Sequence, residues 1–134
     1  MTVVVDASVV VAALVDDGPS GRWAERLLSS QAPAAPHLMP FEVGNILRRA
    51  SRRGAVSDDI ARLAHADLLD LDVELVGYEP LAARTWALRG SVTVYDAADV
   101  ALAEGLAVPL ATLDHRLARA SGPRCAFRIP PAAD

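Results

Sequence analysis

The chain alternates short runs rich in β-branched residues with longer stretches whose apolar residues recur at helical spacing. Thr2 to Asp6, TVVVD, has the length and composition of a buried strand. Helical spacing follows at once from about Ser8 to Asp16, is broken at Gly18-Pro19, and resumes across SGRWAERLLSSQ. The proline-rich APAAPHLMP leaves room for at most a very short strand. Pro40 suits the first turn of a helix through FEVGNILRRASRR, which Gly54 ends, and Ser57 caps another running to about Asp70. Then come a strand (VELVG), two helices (EPLAARTWALR and DAADVALAEGL), a strand (VPLAT), a short helix (HRLARAS) and a last strand (CAFRI). Strands separated by helices predict βαβ units, hence an α/β fold with a mostly parallel sheet and helices on both faces. No repeat, heptad run or linker interrupts the pattern, so one domain is expected across 1–134, with PPAAD at 130–134 a loose tail.

Composition narrows the picture without changing it. A chain that is 52% hydrophobic and 22% charged is that of an ordinary globular protein. The single cysteine, Cys125, forms no internal disulfide, and no His/Cys pattern has zinc spacing, which points to a reducing compartment. The apolar run ASVVVAALV is too short to span a bilayer, follows Asp6 and lacks a basic flank, so it reads as neither signal nor anchor. A cytoplasmic protein with no membrane partner is expected. All 13 basic residues are arginine. The absence of lysine excludes the P-loop, as well as receiver domains and aspartate-nucleophile phosphatases, which place acids at strand ends but also use a lysine there.

The acids carry the candidate chemistry. In an open parallel sheet, ligands bind beyond the carboxyl ends of the strands, where the strand order reverses. Asp6 ends the first predicted strand, Asp114 lies just past VPLAT, Asp96 and Asp99 open the DAADVALAEGL helix, and Glu42 sits in the first turn after Pro40. Structural readings compete: Asp6, Asp96 and Asp114 suit helix N-caps, and Glu42 suits a first-turn acid or a partner of Arg48 or Arg49. Asp99 lies inside its helix among Ala98, Val100 and Ala101, where capping does not explain it. Two carboxylates at i and i+3 repel unless a cation sits between them. Oxygen ligands without thiolate or clustered imidazole favour Mg²⁺ or Mn²⁺. His37, His65 and His115 follow no metal-ligand spacing.

The net charge of −4 argues against a nucleic-acid partner only until the five candidate ligands are set aside, which leaves 12 acids against 13 arginines. Arg48, Arg49, Arg52 and Arg53 cluster at the end of the helix that begins near Glu42, either as a phosphate-binding patch or as cations favoured by the helix dipole. Trp23 and Trp86 fall on helix faces with apolar neighbours and are expected in the core or an interface. Aromatics make up 4% of the chain, which argues against a base-stacking platform.

Four segments, VVVDAS, PFEVGNIL, YDAADVALAE and PLATLDHRLARA, occur in order between Thr2 and about Ala120. Together they resemble the four motif regions of PIN-domain ribonucleases and, more narrowly, of the VapC-type toxins of VapBC toxin–antitoxin pairs. The resemblance implies a three-layer α/β/α sandwich with an acidic pocket for Mg²⁺ or Mn²⁺. By motif position the family's acids fall on Asp6, Glu42, Asp96 and Asp114. Asp99 is an additional pocket acid where many relatives carry an aromatic residue. Ser8 and Thr112 match supporting hydroxyls, and Asn45 matches a polar position expected to orient Glu42.

The implied chemistry is metal-assisted hydrolysis of RNA phosphodiesters, with Asp6, Asp96 and Asp114 on the metal and Glu42 positioning water or a second ion. The implied partners are RNA, a second copy in a homodimer, and an inhibiting VapB-like antitoxin. Apolar faces of the second and third helices, including Trp23, Leu27 and Leu28, are candidate antitoxin surfaces. Two alternatives remain open: a non-catalytic PIN-like module that binds RNA or protein, and a DNA-directed nuclease, because a carboxylate–metal site reads phosphate and not the 2′-OH.

Overall fold

The structure, a computed structural model, describes residues 1–132. The last two positions of the expected tail therefore lie outside the described residues. Strands β1 (Thr2–Val5), β2 (Ala32–Pro36), β3 (Glu74–Val76), β4 (Leu110–Ala111) and β5 (Phe127–Arg128) form a sheet in the order β3-β2-β1-β4-β5. Every pairing is parallel. The helices are α1 (Ala7–Val15), α2 (Pro19–Ser30), α3 (Met39–Arg52), α4 (Asp58–Asp70), α5 (Ala82–Ala87), α6 (Val94–Leu106) and α7 (His115–Ala118). The expected EPLAARTWALR helix begins as a 3-10 turn over Glu79–Leu81 before continuing as α5.

Alternation along β1 sorts the helices into two layers. Val3 and Val5 pack with α1 to α4, whereas Val4 packs on the other face with α5 to α7. This is the expected α/β/α sandwich. The order of strands reverses between β1 and β4, so the carboxyl ends of those two strands, bearing Asp6 and Thr112, flank the crevice where such folds bind ligands.

One expectation fails at β2. The proline-rich stretch is not a vestigial strand but the longest in the sheet, paired on both sides. The Ala32 N–H donates to the Met1 carbonyl at 2.8 Å and the His37 N–H to Val76 at 2.9 Å, so alternate residues address opposite neighbours. Pro33 faces the β3 side before β3 begins opposite Ala34, and Pro36 faces the β1 side after pairing there has ended. Neither missing N–H removes a ladder bond, which reconciles the prolines with a central strand.

The two tryptophans part company. Trp23 and Leu28 pack half-buried against the core and Leu27 is buried, so of the three only Trp23 and Leu28 keep surface that a partner could reach. Trp86 is 59% exposed, which removes it from the core and leaves only the interface part of the expectation, because α5 is short: Thr85 is its one buried residue, with Leu81 and Leu88 buried at its two ends. No helix among the described residues is long and apolar enough to cross a membrane.

The α1–α2 corner depends on a close backbone approach. A Cβ at Gly21 would stand 1.7 Å from the Asp16 carbonyl oxygen, so backbone and not a flexible side chain would have to move. Gly21→Ala is expected to lower stability by more than about 2 kcal/mol, read as a lower urea midpoint at unchanged slope.

Candidate active site

Two hydroxyls fasten Asp6 into the crevice. Ser8 Oγ donates to Asp6 Oδ1 at 2.5 Å and accepts from the Leu113 N–H at 3.0 Å. Thr112 Oγ1 donates to Asp6 Oδ2 at 2.5 Å and accepts from the Asp114 N–H at 3.0 Å. Each hydroxyl thus ties the end of β1 to the segment after β4 while it orients the carboxylate. The Val9 N–H adds a bond of 3.2 Å to Asp6 Oδ1, which is the helix cap that sequence alone also allows. Capping and pocket geometry therefore coexist in one side chain. The same holds for Asp114, whose Oδ1 accepts from the Arg116 and Leu117 N–H groups at 2.9 and 3.3 Å. Asp96 is not the cap of α6; Thr93 is, with its Oγ1 accepting from the Asp96 N–H at 3.1 Å, and this sets Asp96 in the first turn.

The acids act on one another. Burial pushes the Asp6 carboxyl up, its hydrogen bonds oppose this, and Asp96 pushes it further. Burial likewise raises Glu42, with Asp96 and Asp6 adding to it. Asp96 is raised by burial and by Asp114, against the Thr93 hydrogen bond and the positive charge of Arg116. Asp99, only 3% exposed, lies well above the ordinary carboxylate value, first from burial and then from Asp6, Glu42 and Asp96. The crevice thus brings all five candidate acids into one field, and the electrostatic surroundings of Asp6, Glu42 and Asp99 include no offsetting cation.

Such a cluster stores repulsion that a divalent cation relieves. The donor set is entirely carboxylate and hydroxyl oxygen, which suits a hard ion such as Mg²⁺ or Mn²⁺. No three His, Cys, Asp or Glu side chains among the described residues already converge at coordination distances. Carboxylates that repel one another are expected to stand apart, so chemistry and charge fit the ion although the side chains are not drawn together around a point.

A model of the PIN domain matches residues 3–123. This chain belongs to the PIN-domain family. It is 44% identical over 127 residues to Ribonuclease VapC1 of Mycobacterium tuberculosis (strain ATCC 25618 / H37Rv), covering 94% of this chain and 96% of that one. PAE2754 from Pyrobaculum aerophilum superposes with a TM-score of 0.70 at 25% identity, over 95% of this chain and 83% of that one. VapBC2 from Rickettsia felis, solved bound to a DNA fragment from their promoter, shares the fold at 12% identity, with a TM-score of 0.68 over 96% and 98% of the two chains.

Within the PIN fold the remaining candidates scatter. Asn45 shares a groove with Glu42 but makes no hydrogen bond to it among the described residues; its Oδ1 accepts from Arg48 Nη1 at 3.5 Å, one turn on along the exposed face of α3. The α3 arginines do not form one patch. Arg48 and Arg52 line a groove against α4 with Asp58 and His65, Arg49 lines another with Glu42 and Tyr95, and Arg53 caps the helix. At 1.5 Å per residue, Arg52 lies about 15 Å along the helix from Glu42.

Two arginines that the sequence pattern did not single out, Arg89 and Arg116, line a cavity with Asp96 and Asp114. Arg116 carried a signal, since it falls in the turn that Asp114 caps; Arg89 carried none, because only the fold brings the turn before α6 to the acids.

Thr112 is fully buried and makes two bonds at once. Thr112→Val keeps its shape and removes both. Stability is expected to fall by about 1–2 kcal/mol. Any activity of the pocket should fall about 10- to 100-fold, as when a group that orients a metal ligand is lost. Thermal melting and turnover on the same preparation check the pair.

Proposed function

We propose that this PIN-domain chain is the toxin of a type II toxin–antitoxin pair, an endoribonuclease that hydrolyses RNA phosphodiester bonds with Mg²⁺ or Mn²⁺. One observation carries the reading: the carboxylates of Asp6, Glu42, Asp96 and Asp99 act on one another, and Asp114 on Asp96, around the switch point of a PIN fold in a chain 44% identical to Ribonuclease VapC1.

Asp6, Asp96, Asp99 and Asp114 would hold the ion. When bound, it supplies a Lewis acid for the phosphate and a water of lowered pKa. Ser8 and Thr112 fix the Asp6 carboxylate so that it meets a ligand without reorganising. Glu42, half-buried and raised by burial and then by Asp96 and Asp6, would orient the attacking water and accept its proton. The likeness to VapC and VapBC proteins supports a VapB-like antitoxin as partner. A homodimer, cytoplasmic residence and a single domain across 1–134 belong to the same reading and rest on family membership.

The test is digestion of labelled RNA and DNA of the same sequence, side by side, with Mg²⁺ or with EDTA. RNA cut at discrete sites only with metal is the expected result. DNA cut as readily as RNA would make the chain a nuclease of broader scope, and no cutting of either polymer would sink the catalytic reading.

A further inference from the structure

A groove of about 540 Å³ leads from the acids toward the turn between α5 and α6. Arg89 and Arg116 line it together with Asp96 and Asp114. Neither guanidinium is consumed by the fold. Arg89 makes no ion pair among the described residues; its Nη1 donates to the Trp86 carbonyl at 2.8 Å, and its guanidinium lies 4.4 Å from the centroid of the Trp86 ring. Arg116 touches Asp114 only at 3.8 Å, with its side chain 90% exposed. Trp86, itself exposed, thus pre-orders a cation at the mouth of an acidic pocket.

A polyanion cannot approach five carboxylates on the charge of an ion alone. Phosphates on either side of the cleaved bond need cations of their own close by; on α3, Arg48 is turned to Asn45 and Arg52 faces the α4 groove, which leaves Arg49, in a groove with Glu42, as the one α3 arginine beside one of these acids. Resting on the ribonuclease reading above, we propose that the groove between the α5–α6 turn and α7 seats single-stranded RNA, with Arg89 and Arg116 binding the phosphates that flank the acids. Trp86 acts through Arg89 as a positioning residue. A guanidinium held by a ring face and a carbonyl loses less freedom when it meets a phosphate, which favours binding.

The test uses a short mixed-sequence single-stranded RNA labelled with fluorescein, bound to the full chain on an Asp6→Asn background with Mg²⁺ present, over a series of salt concentrations. Each of Arg89→Ala and Arg116→Ala is expected to lower the slope of log affinity against log salt by about 0.7, which is about fivefold in affinity near 0.1 M salt. Trp86→Ala should weaken binding in the same direction without changing the slope. Arg48→Ala with Arg52→Ala should change neither. With Asp6 restored, Arg89→Ala should raise KM while kcat stays within about twofold; Arg116, which lies against Asp114, is read by binding alone, singly and in the double variant with Arg89→Ala. Both arginines are exposed, so unchanged melting temperatures are expected and would separate binding from folding.

Wild-type affinity and slope in the double variant, alongside RNA cleavage by the wild type, would overturn the groove and leave the ribonuclease standing. A drop in kcat with KM unchanged would overturn it too. A wild type that neither binds nor cuts RNA would remove both.

Discussion

Asp6→Asn is expected to reduce RNA cleavage by at least about a thousandfold, the scale at which removing one preorganised charge-stabilising group lowers turnover. The substitution is nearly isosteric, and Oδ1 keeps the bonds from Ser8 and the Val9 N–H. Only the Thr112 bond to Oδ2 must be reversed, with the new amide donating. The buried negative charge disappears together with its desolvation, which is the largest influence on the wild-type group. A folded protein with a melting temperature near or above the wild type, and no turnover, is therefore expected in one variant. Loss of activity accompanied by loss of fold would instead mean that the carboxylate's bond from Thr112 is needed to hold β1 to the segment after β4.

The metal-free protein, followed from about pH 4 to 8, is expected to lose stability as pH rises above the range where ordinary carboxyls ionise. Asp6, Glu42, Asp96 and Asp99 all titrate above their ordinary values, Asp99 well above, with burial the first cause in each. A carboxyl whose pKa is higher folded than unfolded holds its proton longer in the native chain. The native state then binds more protons, and stability falls with rising pH from near pH 4, where unfolded carboxyls ionise, up through the folded values. Glu104 has the opposite sign, because its bond to Arg84 lowers it, but that contribution changes only on the acid side, below its unfolded value near 4.5. Asp99→Asn should flatten the decline and raise the melting temperature in EDTA at pH 7.5 by several degrees. Added Mn²⁺ should raise the wild type more than the variant, since an ion that binds only the native state adds stability by mass action. Melting scans in EDTA and in Mn²⁺ across that pH range check this. A wild-type midpoint that climbs with pH, or an Asp99→Asn midpoint below it, would contradict the account.

How far the chain was legible beforehand depended on the range of the interaction. The TVVVD strand, the caps at Asp6 and Ser57, and the α/β alternation follow from local chemistry, and the structure reproduces them. The five acids could be grouped without coordinates because strand ends and the first turns of following helices share one edge of a parallel sheet. Where register mattered, local rules failed. Pro33 and Pro36 read as strand breakers, yet each falls where its neighbour makes no demand on the N–H. Side-chain direction was equally hidden. Four arginines within six positions look like a patch, but a helix turns consecutive residues about 100° apart, and those of α3 face separate grooves. Trp86 stays out of the core for the same reason, its helix being too short to bury a full face.

The central claim, that this carboxylate cluster cuts RNA through a bound divalent ion, is tested most directly by cleavage of labelled total RNA by the purified protein with Mg²⁺, Mn²⁺ or EDTA, beside folded Asp6→Asn and Asp96→Asn. The account predicts discrete cuts that need the metal and vanish in both variants. Cuts that persist in EDTA, or variants that cut as well as the wild type, would contradict it.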